Sequence, residues 1–139
     1  YTIKNCLNLA DIGNEDETAN QLSGIIAPGD SSINCSQEVS YCLNLGKLKG
    51  SAHLYPITSY EKSDDEENYY DCTKNPSVDE EYGAEGKETS DLKIENPFVG
   101  WATEDWSFAN GRYPLPNIGD NIPGGEDGVY WSAVLTAAT

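Results

Sequence analysis

The chain has 139 residues, of which 24 are acidic and 8 basic, for a formal net charge of −16. That length suits one domain with a modest core. The charge excludes nucleic acid as a partner, because so few cations cannot neutralise a run of phosphates, and it disfavours an anionic membrane surface. No apolar run approaches the ~20 residues of a membrane-spanning helix, so no membrane insertion is expected.

The chain opens at Tyr1 without Met or signal peptide, and so reads as a mature product or an excised fragment. Four cysteines, no Met and nine Tyr suit an extracellular protein. An even cysteine count permits two disulfides among Cys6, Cys35, Cys42 and Cys72, with all three pairings open.

The first predicted element has period two. Ile3, Leu7 and Leu9 alternate with Lys4, Cys6 and Asn8, the pattern of strands with one buried face. The acidic insertion GNEDETANQL follows Ile12, and then comes SGIIAP from Ser23. Val39, Tyr41, Leu43 and Leu45 next alternate with Ser40, Cys42 and Asn44, so that CLNL at Cys6 recurs at Cys42. SAHLYP from Ser51 aligns with SGIIAP, which sets Leu54 level with Ile26 and His53 level with Ile25. ENYYDC, ending at Cys72, fits a third, degenerate copy with Asp71 where Asn8 and Asn44 stand. Gly, Asn, Pro and Asp punctuate every segment, and no helical period is sustained over three turns.

Strands of one polarity that recur after short turns pair in parallel with their own copies, and polar insertions between them become outward loops. The expected fold is therefore all-β: a right-handed parallel β-solenoid of two to three coils over residues 1–72. An acidic linker and a less regular aromatic cap over 73–139 complete one domain. Leu7, Leu43 and Tyr70 are expected to stack, as are Ile26 with Leu54 and Asn8 with Asn44 and Asp71. Cys6 and Cys42 should be neighbours on strands ~5 Å apart, close enough for a disulfide without demanding one.

These copies resemble the coils of bacterial surface proteins that carry the GLUG motif, with SGIIAPG and IKNCLNLADI in the roles of its two strands. The closing segment of such arrays is matched in order by Tyr69-Tyr70-Asp71, GKETSDLK from Gly86, Phe98-Val99-Gly100-Trp101, Trp106-Ser107-Phe108 and Gly111-Arg112-Tyr113-Pro114-Leu115. The likeness runs from Tyr1 to Leu115. It departs at the acidic insertions, at SAHLYP, and at residues 116–139, whose GVYWSAVLTAA has no counterpart. The resemblance implies a surface-exposed or secreted protein with a spacer or adhesive role and no catalytic residues in the motif.

The chemistry of the side chains points the same way. His53 is the only histidine, so a two-imidazole zinc site is impossible and any catalytic triad would need this one outward residue. Acidic blocks are polar loops before they are glycosidase pairs, and the groove of a polysaccharide-cleaving solenoid would want more than the single Arg112. No catalytic residue is assigned. Calcium is the one cofactor left open, with oxygen donors at Asp64, Asp65, Glu66, Asp120 and Asp127 but no EF-hand spacing. Trp101, Trp106 and Tyr113, with Phe108, could form an aromatic binding platform, but a plug that closes the array is the better reading.

The expected function is a non-catalytic extracellular bacterial surface module of adhesin type, with a host or cell-surface protein or glycan as partner. The alternatives are a subunit that stacks on copies of itself into an extracellular filament, or a carbohydrate-binding, less readily carbohydrate-cleaving, module.

Overall fold

The structure is a computed structural model and describes residues 2–15, 21–26, 38–50, 53–58, 67–78 and 84–117. The chain divides into two compact units, Tyr1–Lys87 and Glu88–Thr139.

In the first unit the alternating segments form short strands. A first pass of chain contributes β1 (Thr2–Lys4), β2 (Leu7–Asn8), β3 (Ile12–Gly13) and β4 (Gln21–Ser23). A second pass contributes β5 (Glu38–Ser40), β6 (Leu43–Asn44), β7 (Leu48–Lys49) and β8 (His53–Tyr55). Each strand of the second pass pairs in parallel with its counterpart in the first: β1 with β5, β2 with β6, β3 with β7 and β4 with β8. Leu7 lies level with Leu43 and Asn8 with Asn44, as the repeated CLNL requires. The result is an all-β unit of several parallel sheets, solenoid-like in its retracing of one path.

Two registers differ from expectation. Leu54 lies level with Leu22, not Ile26, and Ile26 is bridged to Thr58. The shared Ser and Pro of SGIIAP and SAHLYP are thus four residues out of step. Main-chain bonds set the true register: the Gly24 amide donates to Tyr55 O at 3.2 Å and the Ile25 amide to Ile57 O at 3.0 Å. Only glycine fits there, because a Cβ on Gly24 would overlap Pro56 O and lie 2.7 Å from the Asn44 amide.

The third pass is also displaced. In β9 (Asn68–Asp71) it is Tyr69 that lies level with Leu43, and Tyr70 with Asn44, one residue earlier than the expected Tyr70 and Asp71. The cause is Asn68, whose amide does the work of a strand. Its Nδ2 donates to Val39 O at 2.9 Å and its Oδ1 accepts from the Cys42 amide at 3.0 Å. Asp71 instead closes a turn, its Oδ1 accepting from the amides of Thr73 and Lys74. Asn8 and Asn44 close turns the same way, onto the amides of Ala10 and Gly46, so the likeness of Asp71 to them lies in role and not in register. A fourth strand, β10 (Ala84–Lys87), pairs in parallel with β9, so strand pairing extends beyond residue 72 into the expected linker.

Burial follows from stacking. Val39, Cys42, Leu43, Leu45, Leu48, Leu54 and Ile57 on the second pass are buried, while Ile3, Leu7 and Leu9 on the first are only half-buried. The bends before β2 and β6 are equivalent, and both place a non-glycine residue in the left-handed region, Asn5 at φ 56° and Tyr41 at φ 55°.

The second unit is built differently. A single helical turn, α1 (Thr89–Leu92), buries Leu92. An antiparallel hairpin joins β11 (Trp106–Ala109) to β12 (Arg112–Pro116) through Asn110-Gly111, with Gly111 at φ 77°. The Gly111 amide donates to Lys93 O at 2.8 Å and ties the hairpin tip to the end of α1.

Candidate functional site

Two features of the first unit gather polar side chains. The first is the asparagine column. Asn8 Nδ2 donates to Asn44 Oδ1 at 2.9 Å and to Ala10 O at 2.8 Å, while Asn8 Oδ1 accepts from the Ala10 amide at 3.2 Å. Asn44 is fully buried; its Oδ1 accepts from Asn8 and from the Gly46 amide at 3.1 Å. Its Nδ2 finds no acceptor among the described residues, since the next position in the column is Tyr70. The ladder therefore runs one way and stops there: Asn8 donates to the second pass, and no described residue accepts from Asn44.

The second feature is a cleft of about 390 Å³ lined by Lys47, Lys49 and Lys74 together with Leu48, Leu54 and Asn75. Three of the eight basic residues of a strongly acidic chain converge there. Lys49 Nζ pairs with Asp11 Oδ2 at 3.0 Å, Lys47 Nζ stands 3.7 Å from Glu15 Oε1, and Lys74 Nζ donates to Leu45 O at 3.1 Å. Asp11 is held below its ordinary carboxyl value of 3.8, first by the bond from the Lys47 amide and then by the Lys49 ammonium. Each lysine already has an acceptor, so the cluster fastens the passes together rather than waiting for an anion. Asn75 reinforces it, donating from Nδ2 to Gly46 O at 2.9 Å and accepting the Leu48 amide on Oδ1 at 2.9 Å.

Asp64, Asp65, Glu66, Asp120, Asp127 and Cys35 lie outside the described residues. Among the described residues no group of three or more His, Cys, Asp or Glu could hold a metal ion.

The aromatic candidates are interior: Trp101, Trp106 and Tyr113 are only 6%, 1% and 2% exposed. Trp101 packs on Phe98 at 4.4 Å and on Trp106 at 4.6 Å between ring centroids, and Lys93 Nζ sits 4.5 Å from the Tyr113 ring. They do not form an open platform.

Cys6 is a free thiol, so it forms no disulfide with Cys42. Cys6 and Cys42 adopt one geometry, each Sγ donating to the carbonyl two residues before it at 3.4 Å, and Cys6 packs against the cluster that contains Cys42. His53 is exposed and level with Gln21. Arg112 donates from Nη2 to Ser107 Oγ at 2.8 Å, and burial lowers its pKa from the ordinary value.

Sequence reasoning missed Asn68, Asn75 and the lysine cleft. For the lysines a signal was present: Lys47 and Lys49 flank Leu48 at period two, which places both cations on one face of a strand. For the two asparagines there was none, because a side chain that replaces a strand has no periodicity.

No protein-family model matches the chain, and no curated protein or solved structure is significantly similar to it.

Proposed function

We propose that the chain is a non-catalytic module of the bacterial cell surface or extracellular medium, of adhesin type. In this reading its first unit is a right-handed β-solenoid of two to three coils. The observation that carries the proposal is the use made of buried polar groups. The buried Asn44, Asn68, Asp71 and Asn75, and the half-buried Asn8 beside them, all bond to main-chain atoms, which is what a scaffold asks of its polar groups. Right-handedness follows from the general chirality of parallel crossovers. The partner is a host or cell-surface protein or a glycan met on the acidic exterior, with the GLUG likeness as the support for a surface location.

Two measurements test this. Fractionation of the producing cells should place the protein on the surface or in the medium, and recovery from the cytoplasm would sink the proposal. The purified chain should bind intact target cells or a glycan array while turning over no member of a polysaccharide panel. Cleavage of any member would replace the module by an enzyme.

A further inference from the structure

We infer that Asn110-Gly111, at the tip of the hairpin between β11 and β12, is a self-modifying latch on the second unit. Closed, the hairpin holds the two reacting groups in hydrogen bonds. Opened, Asn110 converts without an enzyme to aspartate and isoaspartate, and the isoaspartyl form does not close again. The inference holds whatever the cellular location of the protein.

Asn-Gly occurs once in the chain. The turn needs glycine for its conformation and not for space: Gly111 stands at φ 77°, and a Cβ there would meet nothing within 4 Å. The residue that permits the turn also gives the Asn110 side chain its least hindered neighbour. In the reaction the Gly111 amide loses its proton and its nitrogen attacks Asn110 Cγ. The new N–C bond closes a cyclic imide, the bond from Cγ to Nδ2 breaks, and the side-chain nitrogen leaves with the proton as ammonia. Water then opens the imide. Breaking the new bond to Cγ gives aspartate, while breaking the bond to the main-chain carbonyl gives isoaspartate, whose chain runs through Cβ and Cγ.

Two hydrogen bonds within the second unit hold this reaction back. The Gly111 amide donates to Lys93 O at 2.8 Å, so the proton that must leave is bonded. Asn110 Oδ1 accepts from the Glu95 amide at 3.0 Å, which fixes the side-chain carbonyl that must swing onto the nitrogen. Both partners lie in the segment that follows α1, so a single motion of the tip away from that segment frees both groups. Asn110 is itself exposed, and solvent base and water reach it once the tip lifts. Closure after reaction is barred by length. Ala109 and Arg112 pair across Asn110 and Gly111, and isoaspartate adds a methylene group to a loop whose length sets the register. Plain aspartate leaves the loop unaltered and keeps an acceptor for the Glu95 amide.

The test follows the full chain and a synthetic peptide of residues 107–115, SFANGRYPL, in one mildly alkaline reducing buffer, with peptide mapping to read loss of the Asn110 amide. The folded chain should react about tenfold more slowly than the peptide or slower still, the order that two hydrogen bonds broken together imply. Removal of the same amide proton begins hydrogen exchange, so the Gly111 amide should be protected by a similar factor. Chain aged in urea and returned to buffer should separate into aspartyl and isoaspartyl products. The isoaspartyl product, marked by isoaspartyl methyltransferase, should lack that protection, whereas Asn110→Asp should retain it. Comparable rates in chain and peptide, isoaspartyl chains that still protect Gly111, or an Asn110→Asp chain that does not, overturn the inference.

Discussion

Asn68 illustrates how a single side chain can hold a strand in place. With its side chain buried and bonded to both Val39 O and the Cys42 amide, its loss strands a carbonyl and an amide away from water. Each such group costs about 1–3 kcal/mol, so Asn68→Ala should destabilise the first unit by about 2–5 kcal/mol in a denaturant melt. A change below about 1 kcal/mol would mean that water replaces the amide. Asp11 offers a gentler test. Its folded pKa is depressed, so its contribution is present above the unfolded value and is lost as pH falls through the folded one. The contribution is small, under about 1 kcal/mol, because the pair is well solvated. Carbon-detected titration should find Asp11 below 3.8 in the folded chain, and Lys49→Met should raise it only partway, since the Lys47 amide remains the larger cause. A full return to the ordinary value would reverse that ranking.

At the level of elements, the repeated bend and the aromatic hairpin make separate demands. Asn5 and Tyr41 hold the same left-handed conformation one pass apart, and a non-glycine residue there bears a cost of about 1–2 kcal/mol that Asn reduces through its local bonds. Asn5→Ala should therefore lower stability by about 1 kcal/mol while Asn5→Gly stays within a few tenths, read from the midpoint of urea unfolding. Equal effects would mean that the bend is not left-handed. The hairpin of the second unit depends instead on packing. Trp106 is 1% exposed and meets Trp101 face to tilted face, and truncation of a buried Trp costs about 3–5 kcal/mol. Trp106→Ala should abolish the cooperative melt of the second unit and its near-ultraviolet dichroism. An unchanged midpoint with lost ligand binding would make the aromatics a recognition surface after all.

For the whole molecule, charge is the dominant long-range term. A net −16 on 139 residues repels itself in the folded state, and salt shortens the range of that repulsion from about 30 Å at 0.01 M to about 8 Å at 0.15 M. The melting temperature should rise by a few degrees over that interval in sodium chloride. Calcium chloride at matched ionic strength separates screening from binding. An equal rise means screening alone, whereas a further rise that saturates at millimolar calcium would place a bound ion on the acidic loops.

The sequence by itself determined the parallel pairing of the first two passes and the Asn8–Asn44 ladder. In parallel in-register stacking, residues that recur along the chain become neighbours in space, so a repeat of CLNL is already a statement about contacts. It also carried the burial of Leu43 and Leu45, but the expected single buried face fails, because Cys42 and Asn44 between them are buried as fully. Only the tertiary structure decided where the copies slip. A longer link between β3 and β4 than between β7 and β8 shifts the pairing of Leu22 with Leu54, and motif matching cannot see how loops absorb residues. It likewise decided that Tyr69, not Tyr70, meets Leu43, because the Asn68 amide satisfies the backbone ahead of it. The backbone requires its hydrogen bonds to be met but not by which group, and that choice is made in three dimensions.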